Sequence, residues 1–350
     1  MQIEYICFGS LSGFAIAAKN YILALKNHHI KVHTLDCQHR IDVVGKDLHL
    51  FEDLVKTEIS DNAVQIFHCI PPMQKRRKKH NKITIGIGIF ETGKVPKYWV
   101  DILNQNTAVL APSQFNVNIL KESGVTVPIF YIPHCIDMAE FCPGDSFKNV
   151  EKFKFLFIGS WKRRKGYQEL LTAWCEEFID DDVELIIKTD KVNKAKSYVK
   201  RLIPRPDNIT ILDRVIMENE MPDFIRSVSC LVLPTKGEGF GLPCLQAMAC
   251  GVPVLVTDYS GCKDYANNDT AFLLKPEGIV TKKVMDNIPQ FFNQKWAYVS
   301  VKQIRKKMRY IFENPQEIPK KTEAALSFVR SRFSLGYVSG LFDEMFSQIS

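Results

Sequence analysis

Residues 235–253 hold the residue types and spacing best suited to chemistry. Gly237, Gly239 and Gly241 alternate with Glu238 and Phe240, and Leu242 and Pro243 open an apolar run that stops at Gly251. Proline suits the first turn of a helix and glycine the residue past its end, so the pattern predicts strand, glycine-rich turn and a helix over 243–250. The glycines allow close backbone approach to a ligand. The unpaired N–H groups at a helix start can hold an anion such as a diphosphate. A carboxylate at Glu238 would repel that anion, so its natural partners are hydroxyl groups. A tight turn with Glu238 in water fits the same spacing. A second segment, Phe157 to Gly166, places a strand, Gly159 and four consecutive cations (Lys162, Arg163, Arg164, Lys165) ahead of a helix. Arg grips a diphosphate with two bonds and Lys acts as a point charge. A charge run also suits a solvated turn.

The elements that must position these residues alternate along the chain. Strands are predicted over 3–8, 30–35, 63–68, 83–90, 107–111 and 128–132. Helical spacing covers 15–25, and Ser113 has the place and type of a helix N-cap. Pro143 to Asn149 breaks the rhythm as a linker. The alternation then restarts, with strands at 154–158, 183–188, 209–212, 230–233, 254–257 and 271–274 and helices at 166–178 and 243–250. From Lys302 onward the pattern is mostly helical. Strand–helix alternation of this kind predicts an α/β fold of two doubly wound parallel-sheet domains, with ligands at the carboxyl ends of the strands in the cleft where the domains face each other. Gly9 to Gly13 follow the first strand but lack the full G-x-G-x-x-G of a dinucleotide site.

Composition sets the outer limits. The 350 residues are 46% hydrophobic and 24% charged with a net charge of +7, which excludes a disordered, collagen-like or coiled-coil chain. No run reaches the ~18 apolar residues of a membrane helix, and Met1 to Glu4 do not begin a secretory leader. Ten cysteines are scattered without a C-x-x-C pair, which predicts buried free thiols in a reducing, cytoplasmic setting.

The 235–253 segment resembles the E-G-F-G-L-P-x-x-E-A-M-A-x-G-x-P-V signature of the family-4 retaining glycosyltransferases, which have the GT-B fold. The likeness extends over about residues 5–275. It implies Rossmann-like domains at 1–147, binding the acceptor, and 148–332, binding a nucleotide-sugar donor, with 333–350 crossing back as a C-terminal helix. It implies a hexose moved from a UDP- or GDP-sugar to a hydroxyl of a glycan or glycolipid, with retained configuration and no metal or other cofactor. Glu238 would contact the donor sugar, while Gly239, Phe240, Gly241 and Leu242 would hold the diphosphate. The signature's second glutamate, typically on the ribose, is Gln246 here, which keeps hydrogen bonding and loses charge. Phe157 to Gly166 resembles the family's strand–Gly–x–Lys-Gly element, which gives Lys165 a phosphate role. Ser160 stands where the family often has arginine, and Arg163 or Arg164 would supply the cation, with Arg164 favoured. Gly13 is the candidate for close approach in the first loop. Glu91, in Phe90-Glu91-Thr92 with Pro96 and Trp99 after it, resembles a W-E-T element; it would bind a donor or acceptor hydroxyl, or cap a turn. Base contacts would come from backbone around Val215. Ala111 to Phe115 and Ile132 to Asp137 resemble two further family elements, with His134 as a hydrogen-bonding residue. The runner-up is a nucleotide-sugar-binding or regulatory protein with weakened turnover, motivated by Gln246 and Ser160.

Other chemistries lack their residues. No histidine has zinc spacing, and no G-x-S-x-G elbow is present. Asp180-Asp181-Asp182 falls between a helix and a strand and reads as a solvated turn. Lys75 to Lys79 form a basic run suited to a solvated loop, or to peripheral contact with an anionic membrane surface. No nucleic-acid partner is expected.

Overall fold

In the computed structural model, which describes residues 1–9, 12–35, 48–74, 83–144 and 152–349, the alternating elements form two units. One comprises Met1–Met138 with Ser331–Ser350, the other Ala139–Arg330. The division therefore falls at 138/139 and 330/331, where the sequence reading set it at 147/148 and 332/333. The basic run Lys75–Lys79, Ser10 and Leu11 of the first loop, and residues 145–149 of the expected linker lie outside the described residues.

The first unit has six parallel strands: β1 (Gln2–Cys7), β2 (His29–Thr34), β3 (Val64–His68), β4 (Thr84–Ile87), β5 (Ala108–Ala111) and β6 (Ile129–Tyr131). Their order is β2-β1-β3-β4-β5-β6. Helices α1 (Gly13–Ala24), α2 (Leu48–Lys56), α3 (Pro71–Gln74), α4 (Lys97–Leu103) and α5 (Gln114–Ser123) connect them. β3, β4 and β5 are buried along their whole length, as strands covered on both faces must be. Ser113 does cap α5, its hydroxyl accepting the Asn116 N–H at 3.1 Å. The strand expected over 83–90 is shorter: Gly88 N–H still donates to Leu110 O of β5 at 2.8 Å, and Phe90 N–H then turns to Asn116 Oδ1 at 2.6 Å.

The second unit repeats the plan with β7 (Phe153–Ile158), β8 (Val183–Lys188), β9 (Ile209–Ile211), β10 (Cys230–Leu233), β11 (Val254–Thr257) and β12 (Phe272–Leu274). All six are parallel, in the order β12-β11-β10-β7-β8-β9. Helices α6 (Tyr167–Glu177), α7 (Val192–Val199), α8 (Met221–Arg226) and α9 (Leu242–Ala249) connect these strands. An antiparallel hairpin, β13 (Gly278–Lys282) and β14 (Gln294–Tyr298), follows where the sequence reading assigns no element. Then come α10 (Val301–Glu313) and α11 (Ile318–Arg332), and α12 (Leu335–Ile349) completes the first unit. Val338, Phe342, Met345 and Phe346 of α12 are buried in the core that contains Tyr21 and Ile22 of α1.

The Asp180–Asp182 turn is not simply solvated. Asp181 accepts Arg309 Nη2 at 2.6 Å and Asp182 pairs with Lys152 at 2.9 Å. With Glu177, which Arg305 and Arg309 both reach, Asp181 ties α10 to the end of α6. Nine cysteines are described, and all are free thiols. No helix among the described residues is long and apolar enough to cross a membrane.

Candidate functional site

The strand order of the second unit decides where its ligand site can be. From β7 the chain winds outward through β8 and β9, and from β10 it winds the other way through β11 and β12. The sheet therefore reverses direction between the neighbours β7 and β10, and ligands of open α/β sheets bind outside the carboxyl ends at such a point. The loops leaving those two strands are the two segments singled out in the sequence.

After β7, Arg163–Lys165 form one tight helical turn that ends at Gly166. Gly166 has φ +76°, and a Cβ on it would lie 1.9 Å from the carbonyl oxygen of Pro234. Only glycine lets this turn press against the loop after β10. The contact is locked by backbone: Lys236 N–H donates to Arg164 O at 2.7 Å, and Thr235 Oγ1 donates to the same oxygen at 3.1 Å. The helix expected from Gly166 thus begins one residue later, at Tyr167.

This seam brings together three of the expected site residues. Lys165 Nζ donates to Glu238 Oε1 at 2.6 Å, and Arg164 Nη1 donates to Glu238 Oε2 at 3.3 Å. The three side chains are only 11%, 10% and 5% exposed, respectively. Thr235 Oγ1 lies 3.1 Å from Glu238 Oε1, and Arg164 Nη1 also donates to Gly237 O at 3.2 Å. Burial alone would push the Glu238 carboxyl up, but the Lys165 and Arg164 charges overrule it and hold it below its usual range. Glu238 is therefore an ionised carboxylate, and the sequence alternative of a turn with Glu238 in water does not hold. Two cations and one anion leave the cluster with one net positive charge.

The loop around Glu238 is held from below by residues that the sequence reading missed. Glu238 N–H donates to Ser260 Oγ at 2.8 Å, and Gly261 N–H donates to Glu238 O at 3.1 Å. Tyr265 Oη donates to Phe240 O and Gly241 O, both at 3.0 Å. Gly241 takes φ +97° as the cap of α9, and a Cβ there would stand 2.5 Å from that same tyrosine oxygen. Leu242 and Pro243 form the first turn, where a missing proline N–H costs no hydrogen bond. The only signal for Ser260, Gly261 and Tyr265 was their closeness in sequence to β11, too weak to single them out.

Other expected residues stand elsewhere. Gln246 lies in α9, 6% exposed, and its side-chain amide is bonded to no described residue. Phe240 and Leu242 are buried, and Gly239 O presses against Gly261. Arg163 is exposed to solvent and makes no ion pair with Glu238, and its N–H donates to Asp286 Oδ1 at 2.5 Å. Val215 is 68% exposed in the loop after β9. Gly13 and Glu91 belong to the first unit. Gly13 opens α1 behind the cap Ser12, with nothing within 4 Å of where a Cβ would be, so the fold itself does not require glycine there. Glu91 is half-buried four residues past β4, beside Phe90, whose ring packs edge-on against Trp99 at 5.5 Å. His134 is buried, its ring stacked 6.0 Å from that of His68, and burial pushes its pKa down to about 3. It is neutral at physiological pH. Among the described residues no group of three side chains could hold a metal ion.

The second unit is the part of the chain that resembles a known sequence family. Residues 152–293, which contain the whole cluster, match the sequence profile of Glycosyl transferases group 1. The chain is 45% identical over 151 residues to the lipopolysaccharide core biosynthesis mannosyltransferase LpsB of Rhizobium meliloti, covering 38% of this chain and 41% of that protein. It is 32% identical over 106 residues to an uncharacterised glycosyltransferase of Methanocaldococcus jannaschii, covering 30% of this chain and 29% of that one. These matches span less than half of the relatives' length. The fold matches Anabaena HepE, solved with UDP and glucose, with a TM-score of 0.70 over 99% of this chain and 100% of that one at 14% identity. Two Rossmann-like parallel-sheet domains of the GT-B kind are thus the fold of this chain.

Proposed function

We propose that this chain, whose residues 152–293 match the profile of Glycosyl transferases group 1, transfers a hexose from a UDP- or GDP-sugar to a hydroxyl of a glycan or glycolipid, with retained configuration and no metal. The observation that carries this reading is the Glu238–Lys165–Arg164 cluster at the sheet's reversal point, beside the start of α9. Its net positive charge suits a diphosphate, and the helix start adds its own partial positive charge. Charge builds on the diphosphate as the sugar leaves, so donors already aimed at that place stabilise the transition state most. Lys165 supplies the mobile cation, and the amides of Gly241 and Leu242 supply fixed dipoles. Glu238 keeps both cations in place and offers its remaining acceptor capacity to sugar hydroxyls. Gln246, buried with a free amide, is the candidate for the ribose. Gly13 and Glu91 are the further candidates for contacts with donor and acceptor.

UDP is the first nucleotide to try, because the similar Anabaena fold was solved with it. A thermal-shift series of UDP, GDP and ADP, with their sugar conjugates and with and without magnesium, tests the reading. A ligand at 100 times its dissociation constant stabilises by ~2.7 kcal/mol. One nucleotide should stand out without magnesium, and its sugar conjugate should release that nucleotide when a glycan acceptor is added. A shift without release under any acceptor would favour the second reading, a binding protein in which Gln246 and Ser160 have weakened turnover. No shift with any nucleotide would overturn both.

A further inference from the structure

We propose that the second unit carries an accessory site for an anionic saccharide, separate from the Glu238 cluster and built on the other residues of the same basic run. A cavity of about 600 Å³ opens between the 161–163 loop, α7 and the tip of the β13–β14 hairpin. That volume lies within the ~300–1,000 Å³ of ordinary ligand pockets. None of the residues of the Glu238 cluster lines it.

Its walls combine two kinds of group. Trp161 stacks on Tyr167 at 3.9 Å, and Tyr198 meets both rings edge-on at 6.0 and 5.5 Å. Lys162, Arg163, Lys194 and Arg201 surround these rings. None of the four has a carboxylate partner among the described residues, although nearby Lys196 pairs with Asp213 and Lys165 with Glu238. The cavity's one acid, Asp286, is already engaged, since it accepts the backbone N–H groups of Arg163 and Arg164. Four cations against one carboxylate leave three net positive charges around an aromatic floor, which calls for a ligand with several anionic oxygens on an apolar-faced ring. A flat base is the poorer fit. Tyr167 covers one face of Trp161 and Tyr198 presents only an edge, so no pair of parallel rings is open to a base. Asn193 and Ser197 add hydrogen-bonding groups of the kind that meet sugar hydroxyls.

The cluster and the cavity share the Arg163–Lys165 turn: Arg163 serves the cavity, while Arg164 and Lys165 serve Glu238. The proposal goes beyond the transfer reading and is tested by binding alone. The full chain is titrated with sucrose octasulfate, with sucrose and inorganic sulfate as controls. Trp99, Trp174 and Trp296 are buried, so the half-buried Trp161 should dominate any change in tryptophan fluorescence. The expected result is saturable one-site binding, at least tenfold weaker in a Lys194→Ala/Arg201→Ala variant and unaffected by saturating UDP. Trp161→Phe should lose the fluorescence signal but still bind by calorimetry. Unchanged affinity in the double variant would place the ligand elsewhere and overturn the proposal. So would equal binding of inorganic sulfate, which would mean an anion site only, or displacement by UDP, which would mean one shared site. Absence of binding would overturn it outright.

Discussion

Glu238 is where charge, burial and loop shape meet, so its removal should be felt in both stability and chemistry. Glu238→Gln leaves Lys165 and Arg164 nine-tenths buried without their anion. Breaking a buried pair in this way costs ~3–5 kcal/mol, readable by urea denaturation at pH 7. The folded carboxyl titrates below its usual 4.5, so the unfolded chain takes up the proton first. The stabilisation is therefore fully present above pH 4.5 and fades as pH falls through the lower folded value. The variant and the parent should converge in acid. Equal stability at pH 7 would mean that the ion cluster does not hold the loop. The sequence named Glu238 and Lys165 as site residues, but not that they touch. They lie 73 positions apart, and their contact depends on β7 lying beside β10. The sequence reading favours Arg164 over Arg163, and it is Arg164 that reaches Glu238, but a run of four like charges does not itself show facing, which the tight turn sets.

Two glycines test how far the elements depend on their joints. Gly166→Ala would drive a Cβ into the carbonyl of Pro234 at 1.9 Å and hold φ at +76°. The strain of a left-handed alanine costs of order 1–3 kcal/mol, and the clash forces the two loops apart in addition. Gly13→Ala meets nothing within 4 Å and exchanges glycine for a better helix former in the first turn of α1, so its stability should stay within about 0.5 kcal/mol of the parent or rise. Denaturation midpoints of the two variants check the contrast. If the donor's phosphates approach the Gly13 backbone, Gly13→Ala should raise KM for the donor while leaving stability alone. An unchanged KM would remove Gly13 from the site. At this scale the alternating strands and the α9 turn were legible, since each is a local pattern of apolar runs and punctuating glycine or proline. The β13–β14 hairpin was not, because the 11 residues between its strands (283–293) hide the pairing.

For the molecule as a whole, the first unit depends on the end of the chain. Phe342 is fully buried and meets Tyr21 edge-on at 5.3 Å. Phe342→Ala should cost ~3–5 kcal/mol, seen as a lower denaturant midpoint. A loss below 1 kcal/mol would mean that α12 contributes little to that core. The same non-local logic applies to Asp181, whose partner Arg309 is 128 positions away on α10. A sequence scan that sees only three adjacent acids reads water where the fold supplies a guanidinium.

By itself the sequence determined the α/β class, the order of most elements and the two loops in which a diphosphate and a sugar hydroxyl could be met. These are local properties, set by hydrophobic period, by proline and glycine at element ends, and by charges adjacent along the chain. Only the tertiary structure decided which charges neutralise one another, which of four consecutive cations face the Glu238 loop, and which gather in excess around the Trp161 cavity. Coulomb energy depends on distance and burial rather than on sequence separation. Strand order and the tight Arg163–Lys165 turn, not the composition of the basic run, set both quantities.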